Sequence, residues 1–355
     1  MRAIPARRPT AAHEFEVTMS LQESQLESLE SSSLADSAGN QAVAGLSPTK
    51  LAIRRFRKDR LSMVSFVVVA LYILAALAAP FLVRLGVIDP FTFNNSEKYL
   101  DIAQGGIPHG AFGGMSLEHP LGLEPGTGRD VMSRLWYGIT FSLTIALSAT
   151  LIAVAIGTTM GIISGFSGGK TDAVVGRVID LTLSFPQTLM LLALSGVMIG
   201  LLTEKLNVPA GDVANGLYVI LVLAVFGWPS VARLIRGQVL SIREREFIDA
   251  ARLLGASRRR LYFKEVLPNL WAPVLVSFTL TMPAYISAEA ALSYLNVGIK
   301  PPTPTLGNIL KSSISYSSAD FAFFFFPAFL IAIIVVSFNL LGDGIRDALD
   351  PKADR

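Results

Sequence analysis

Long apolar stretches alternate with short polar ones along most of the chain. Each of six apolar stretches has at least about the 20 residues that a helix needs to cross a bilayer, and each is nearly free of charge. Helices are the expected form, because lipid offers no partner for unpaired backbone groups. The predicted membrane helices cover residues 61–83, 135–164, 174–202, 213–232, 266–288 and 321–342. The pattern therefore predicts an all-α membrane protein with six transmembrane helices.

The composition agrees with this prediction. Hydrophobic residues make up 52% of the chain and charged residues 16%, against roughly 25% charged residues in an average soluble domain. The basic residues are also unevenly placed, because a cluster precedes the first span: Lys50, Arg54, Arg55, Arg57, Lys58 and Arg60. The positive-inside rule puts the N-terminus in the cytoplasm, and after six crossings the C-terminus lies there too. Topology explains the basic clusters, so no nucleic-acid partner is expected.

The same pattern divides the chain into regions. Residues 1–48 are rich in Ser, Glu and Gln, which predicts a disordered cytoplasmic extension rather than a signal peptide, and Met19 offers an alternative start. Residues 49–84 form a basic lead-in and the first span. A Gly- and Pro-rich extracytoplasmic loop is expected over 85–134, followed by a core of five spans over 135–351.

Several kinds of chemistry are excluded by the residues available. The chain has no cysteine, and its three histidines, His13, His109 and His119, have no acidic residue at ligand spacing, so no metal is expected. The last residues of the segment 164–171 match the end of a phosphate-binding loop. However, Ser164 stands where that loop requires glycine, and the segment follows a membrane span where the loop requires a strand. This chain is therefore expected to bind no cofactor, and any ATP must be bound by another chain.

Four residues within or beside the spans are candidate pathway or structural positions. Pro186, Pro229 and Pro283 can kink membrane helices. A kinked helix either lines a cavity or is an ordinary packing irregularity. Glu289 lies near the outer end of the fifth span, where it could reach water or a neighbouring backbone. Its two interpretations are a proton relay and a structural anchor.

Three glycines spaced four residues apart mark one face of the second span. Gly157, Gly161 and Gly165 would let another helix approach closely. We expect this stripe to serve packing.

The polar loop over 243–268 is the most informative segment. Phe247, Ala250, Ala251 and Leu254 follow a helical spacing that predicts an apolar stripe, and Gly255 supplies a left-handed residue to end the helix. Basic residues surround this helix, which puts it in the cytoplasm: Arg243, Arg245, Arg252, Arg258, Arg259, Arg260 and Lys264. A short exposed helix with an apolar face predicts a docking surface for a cytosolic partner.

This loop resembles the EAA loop of the permease subunits of ABC importers, in particular the dipeptide/oligopeptide branch. The resemblance rests on Asp249-Ala-Ala, then Gly255, then Glu265-Val-Leu-Pro268. It extends over roughly residues 50–351 through His119-Pro-Leu-Gly122, Gly128-Arg-Asp130, Ser184-Phe-Pro186, Gly227-Trp-Pro229, Ala288-Glu-Ala290, Pro301-Pro-Thr-Pro304, Gly307-Asn308 and the segment from Phe338 to Pro351. Two departures are Asp249, where glutamate is usual, and the sequence over 123–128.

The resemblance implies a type I importer fold and a set of partners. These are a homologous second permease, two cytosolic ATPases that bind ATP and Mg²⁺, and an external substrate-binding protein, all at the inner membrane. The residues implied in ATPase coupling are Phe247, Asp249, Ala250, Ala251, Arg252, Leu254 and Gly255, with Asp249 and Arg252 fixing register through polar contacts.

The cargo is left open by the sequence. Peptides are the expected cargo of this branch, with nickel chelates, glutathione or opines as alternatives. A stand-alone secondary transporter is the competing class, but the chain shows neither inverted repeats nor a cluster of midplane charges. A membrane enzyme is a weaker possibility, because the spans carry no paired acids or Ser-His arrangement.

Overall fold

The computed structural model describes residues 48–94 and 96–349 and divides the chain into two compact units, 1–58 and 59–355. The described part of the first unit is one helix, α1 (Pro48–Lys58), whose last turn carries Arg55, Arg57 and Lys58. The extension expected over residues 1–48 lies outside the described residues, apart from Pro48.

The second unit is built from helices, with one small antiparallel sheet. Its strands are β1 (Leu100–Asp101) and β2 (Ile107–Pro108). A π-helical turn (Leu261–Val266) and a 3₁₀ turn (Leu267–Leu270) lead from α9 (Arg258–Arg260) into α10 (Trp271–Tyr294). The helices are α2 (Arg60–Arg84), α3 (Val131–Ser167), α4 (Gly169–Ser184), α5 (Gln187–Ala193), α6 (Ser195–Glu204), α7 (Asp212–Ile242), α8 (Glu246–Leu253), α9 (Arg258–Arg260), α10 (Trp271–Tyr294), α11 (Leu306–Tyr316) and α12 (Phe321–Leu349).

Among the described residues, five helical runs are long and apolar enough to cross a membrane. These are α2, α3, α7, α12 and the continuous run Arg258–Tyr294, and the pair α5 and α6, bent by 50°, brings the number to six if it counts as one span. The single helix expected over 174–202 is wrong, because three helices occupy this segment. Phe185 and Pro186 are both extended, as expected where a proline removes a backbone donor and restricts the residue before it.

Helices α3 and α7 pack closely in parallel, as their glycine contacts show. A methyl group on Gly157 would lie 2.6 Å from the Val231 Cβ, and one on Gly161 would lie 2.8 Å from the Ala232 carbonyl oxygen. Gly165 repeats the pattern against Val239 at 2.9 Å. The numbers rise together along both helices, so the two run in the same direction. The expected close approach of another helix to these glycines is confirmed.

Helices α2 and α10 are antiparallel to α3. Ser142 of α3 contacts Glu289 of α10, and Thr150 contacts Met282, so the pairing runs in opposite directions. Trp136 donates a hydrogen bond from Nε1 to the Ala75 carbonyl oxygen of α2 at 3.0 Å. We call the end of the bundle that carries residues 243–268 the proximal end, and the end that carries residues 85–130 and α11 the distal end.

A buried ionic cluster fixes the distal loop to the bundle. The Glu124 Oε2 atom lies 3.1 Å from Arg129 Nε and 3.3 Å from Arg134 Nε, as ion pairs rather than aligned hydrogen bonds. Arg134 also donates from Nη1 to the carbonyl oxygens of Pro90 and Pro302. Buried charges need such partners. The segment between α2 and α3 is therefore an ordered structure and not a simple turn.

The start of α3 is held by two side chains of the same loop. Asp130 caps the helix by accepting from the Ser133 backbone N–H at 2.7 Å. His119 Nδ1 lies 3.0 Å from the second carboxylate oxygen of Asp130. This histidine thus has a structural partner, which fixes where the second membrane helix begins.

Candidate functional site

The buried side chain of Ile248 anchors helix α8 to the bundle. Ile248 is fully buried and belongs to an apolar cluster at the proximal end. The cluster draws its other members from α3, α7 and the segment before α10: Val154, Ile162, Val231, Ile235, Val239, Ile242, Val266 and Leu270. The burial of Ile248 could not be predicted from helical spacing, because it depends on tertiary neighbours outside the local stripe.

Helix α8 ends in a Schellman motif. The Gly255 N–H bonds the Arg252 carbonyl oxygen at 2.9 Å, and the Ala256 N–H bonds the Ala251 carbonyl oxygen at 3.0 Å. Gly255 has φ +77°, so the predicted left-handed residue after the helix is confirmed. A side chain at this position would have open space around it, but its backbone would be strained.

The apolar stripe of α8 is not covered by the described part of the chain. Phe247, Ala250 and Leu254 are exposed and Ala251 is half-buried. Helical geometry turns the stripe roughly a third of a turn away from Ile248. Leu253, which the spacing argument left out, is 90% exposed beside Leu254 at 85%. An exposed apolar surface of this kind usually marks an interaction site.

Polar and aromatic contacts set the position of α8 against the end of α3. Arg252 pairs with Asp249 at 3.0 Å, and its guanidinium lies over the Phe166 ring, 5.1 Å from the ring centre. Phe166 in turn packs edge-on against Tyr262. Through these contacts Arg252 in α8 and Tyr262 in the π-helical turn both pack on Phe166 at the end of α3. The loop over 243–268 therefore has a defined structure.

A basic cleft follows α8. Its volume is about 390 Å³, and it is lined by Ser257, Arg259, Arg260, Phe263 and Lys264. The two arginines and the lysine are exposed, so the surface beside the apolar stripe is strongly positive.

Glu289 is buried inside the bundle. It is 1% exposed and accepts hydrogen bonds from the Ser142 and Ser293 hydroxyls, each at 2.8 Å. Ser142 also accepts from the Leu306 N–H at 3.1 Å. Helices α3 and α10 and the start of α11 enclose Glu289, so its side chain contacts hydroxyl groups in place of water. The carboxylate instead joins three elements near the distal end.

The prolines fall into two groups. Pro229 and Pro283 are buried inside the continuous helices α7 and α10. Pro186 stands between α4 and α5, at a full break in the helix. Of these three sites, Pro186 is the one that lies in irregular, exposed backbone.

The described residues contain no group of three His, Asp or Glu side chains that could hold a metal ion. Residues 164–171 join the end of α3 to the start of α4. A phosphate-binding loop requires a strand before the glycine-rich turn. Because a helix precedes this segment, it does not have the geometry of a phosphate-binding loop.

Two known protein families match the chain. The binding-protein-dependent transport system inner membrane component matches residues 157–355. The N-terminal TM domain of oligopeptide transport permease C matches residues 47–101. The chain belongs to the binding-protein-dependent transport permeases. It is accordingly a multi-pass permease of the inner membrane and a transport subunit of an ABC importer.

Similar permeases cover most of the chain. The oligopeptide transport system permease protein OppC of Bacillus subtilis (strain 168) is 35% identical over 310 residues, 86% of this permease and 90% of the relative. The dipeptide transport system permease protein DppC of the same organism is 34% identical, covering 87% and 88%. The glutathione transport system permease protein GsiD of Escherichia coli O6:K15:H31 (strain 536 / UPEC) is 33% identical, covering 84% and 89%.

Proposed function

We propose that this permease forms half of the membrane pathway of an ATP-driven importer of dipeptides and oligopeptides. The proposal for the cargo is supported by relatives named as oligopeptide and dipeptide permeases over more than four fifths of the chain. The other subunits are a homologous second permease, two cytosolic ATPases that bind ATP and Mg²⁺, and an external binding protein that delivers the cargo.

The proposed topology has six crossings with both termini in the cytoplasm. The parallel packing of α3 and α7 supports it, because the chain leaves α3 at the proximal end and enters α7 at the distal end. The broken segment α4 to α6 must therefore return across the membrane. The basic residues of the loop over 243–268 favour a cytoplasmic proximal end.

Coupling to the ATPases is proposed to run through α8. The observation that carries this proposal is that Ile248 is buried in the bundle while Phe247, Ala250 and Leu254 stay exposed. A helix held on one side and open on the other can pass a rigid-body displacement of a docked partner to the membrane helices. Asp249 and Arg252 keep the register of this surface, and Gly255 sets where it ends.

The coupling proposal is tested with Leu254→Asp in the complete transporter. Leu254 is 85% exposed, so its replacement leaves the permease fold intact. Loss of a buried leucine at the ATPase contact weakens docking by about 1.5–3 kcal/mol, or roughly 10- to 150-fold. We expect normal membrane levels, loss of ATPase subunits on purification, and loss of ATP-driven uptake.

Leu117→Asp is the matched control. Leu117 is fully exposed on the distal loop, so the same chemical change falls at the opposite end of the molecule. This variant should keep its ATPases. If Leu254→Asp also kept them and transported at the wild-type rate, α8 would not be the docking element.

Glutathione is the second candidate cargo, because the 33% identical relative is named a glutathione permease. Uptake of labelled dipeptide, oligopeptide and glutathione into proteoliposomes that contain all subunits separates the candidates. Uptake of peptides only with ATP and binding protein supports the proposal. Transport by this permease without ATPases would instead establish a secondary transporter.

A further inference from the structure

The break between α4 and α5 leaves irregular backbone in a membrane-crossing segment. Helix α4 ends at Ser184, Phe185 and Pro186 are extended, and α5 begins at Gln187. The Ser184 hydroxyl donates to the Leu181 carbonyl oxygen at 2.7 Å, but the other carbonyl groups at the end of α4 and the first N–H groups of α5 have no backbone partner within their helix. Lipid cannot satisfy such groups, so the break must face water or protein.

Two contacts with α7 give the depth of this break. On the proximal side, Asp180 pairs with Arg233 at 2.7 Å. On the distal side, the Tyr218 hydroxyl donates to the Leu191 carbonyl oxygen. The break lies between these levels and therefore beside the middle of the 31-residue helix α7, about 20 Å from each of its ends. It stands near the middle of the membrane.

Exposed polar side chains continue from this break toward the proximal end. Ser184 and Thr188 flank the break and are exposed, as is Ser230 on the neighbouring face of α7. The Asp180 and Arg233 side chains are 68% and 59% exposed. Arg233 lies nine residues from the last residue of α7, about 14 Å along the helix. The predicted apolar span over 213–232 ends just before Arg233, so the ion pair lies at the proximal edge of the membrane core and the break lies deeper.

Water is a better neighbour for this surface than a second protein. Burying two ions against another subunit removes both from water, which costs several kcal/mol for each ion. The centre of a protein interface is also normally poor in charged residues. An aqueous cavity satisfies the ion pair, the hydroxyls and the free backbone groups together.

We propose that Ser184, Thr188, Ser230 and the Asp180–Arg233 pair line the water-filled translocation pathway of the assembled importer. The break around Pro186 then marks the deepest part of the cavity that opens from the proximal end. This inference rests on the proposed function, since a pathway requires a transporter. It assigns the pathway wall to α4, α5 and one face of α7.

The chain contains no cysteine, so labelling of this subunit, read after it is separated from the other subunits by electrophoresis, reports on the introduced cysteine alone. We would prepare Ser184→Cys, Thr188→Cys and Ser230→Cys in the complete transporter. Leu71→Cys is the control, because Leu71 is 59% exposed at the middle of the apolar helix α2. Each variant is treated with a charged, membrane-impermeant methanethiosulfonate applied from the proximal side, and with a lipid-soluble maleimide.

We expect the charged reagent to modify positions 184, 188 and 230 at least about 10-fold faster than position 71, while the maleimide reaches all four. The Ser230→Cys variant, on a continuous helix, keeps the test valid if a cysteine beside the break disturbs folding. If the charged reagent were as slow at these positions as at 71 while ATP-driven peptide uptake continued, the pathway assignment would be wrong. Absence of uptake in the unmodified transporter would instead reject the proposed function, and this inference with it.

Discussion

Asp172, at the start of α4, holds the proximal end of the bundle through an ion pair with Arg236. Arg236 donates from Nε and Nη2 to both carboxylate oxygens at 2.6 Å. These bonds, with a further hydrogen bond from Ser164 and the charge of Arg243, lower the pKa of Asp172 from 3.8 to about 2. Because the folded-state pKa is the lower one, ionised Asp172 stabilises the fold above about pH 4. That stabilisation is lost as the pH falls from about 4 toward 2.

Asp172→Asn should therefore lower the thermal stability of the purified permease at pH 7, by about 1–2 kcal/mol. The difference from wild type should shrink below about pH 4. Differential scanning fluorimetry in detergent between pH 7 and pH 3 measures it. Asp180→Asn is the control, since its ion pair with Arg233 is more than half exposed and should contribute little. A pH-independent difference for Asp172→Asn would contradict the ion-pair explanation.

Glu289 is expected to matter for folding rather than for proton transfer. A glutamine at this position can accept from Ser142 and donate to Ser293, so Glu289→Gln should keep most of the stability and the transport. Glu289→Ala removes the acceptor to which the Ser142 and Ser293 hydroxyls donate, leaves a cavity, and should cost about 2–4 kcal/mol. Thermal melting and ATP-driven uptake of both variants test this. Loss of uptake in a stable Glu289→Gln variant would favour a proton relay.

Single residues differ in how much the sequence could predict. The left-handed conformation of Gly255 was predictable, because helix termination is local chemistry. The burial of Ile248 and Glu289 was not, since it depends on α3, α7 and α11 meeting them in space. Leu253 was missed because a strict helical stripe excludes it, although it lies beside Leu254 at the free end of α8.

Among the elements, the contact between α3 and α7 gives the sharpest prediction. Gly161→Ala brings a methyl group within 2.8 Å of the Ala232 carbonyl oxygen, a backbone atom that cannot rotate away. We expect a loss of about 1–3 kcal/mol, although alanine has the higher helix propensity. Gly176→Ala on α4 meets nothing within 4 Å and should be neutral or stabilise by up to about 1 kcal/mol. A lower melting temperature for Gly161→Ala together with an unchanged or higher one for Gly176→Ala would confirm the close packing of α3 on α7. Equal changes in the two variants would contradict it.

Element positions followed the hydrophobic pattern closely, except between residues 174 and 202. Four of the predicted spans correspond to the long helices α2, α3, α7 and α12, and the fifth to the run ending in α10. The apolar stretch over 174–202 has the length of one helix, but Pro186 interrupts it and a second bend separates α5 from α6. Hydropathy measures only the free energy of transferring side chains out of water. It carries no information about whether the helix through an apolar stretch is continuous.

For the whole molecule, the expected topology is six crossings with cytoplasmic ends. Reporter fusions after residues 208, 255 and 355 test it. The fusion at 208 should be external and the other two cytoplasmic, because α3 and α7 are parallel and the segment between them must cross. A cytoplasmic fusion at 208 would mean that α5 and α6 form a re-entrant hairpin and that α7 starts on the wrong side for parallel packing.

The parallel pairing of α3 and α7 also affects how the chain is made. More than 70 residues separate Gly161 from its partner Ile235. At about 5–20 residues synthesised per second, the glycine face of α3 waits roughly 4–15 s before α7 can cover it. Until α7 is made, the glycine face of α3 exposes its backbone within the membrane. During that time only lipid or the insertion machinery can cover this face. A slow or missing α7 would expose this permease to quality-control proteolysis at that stage.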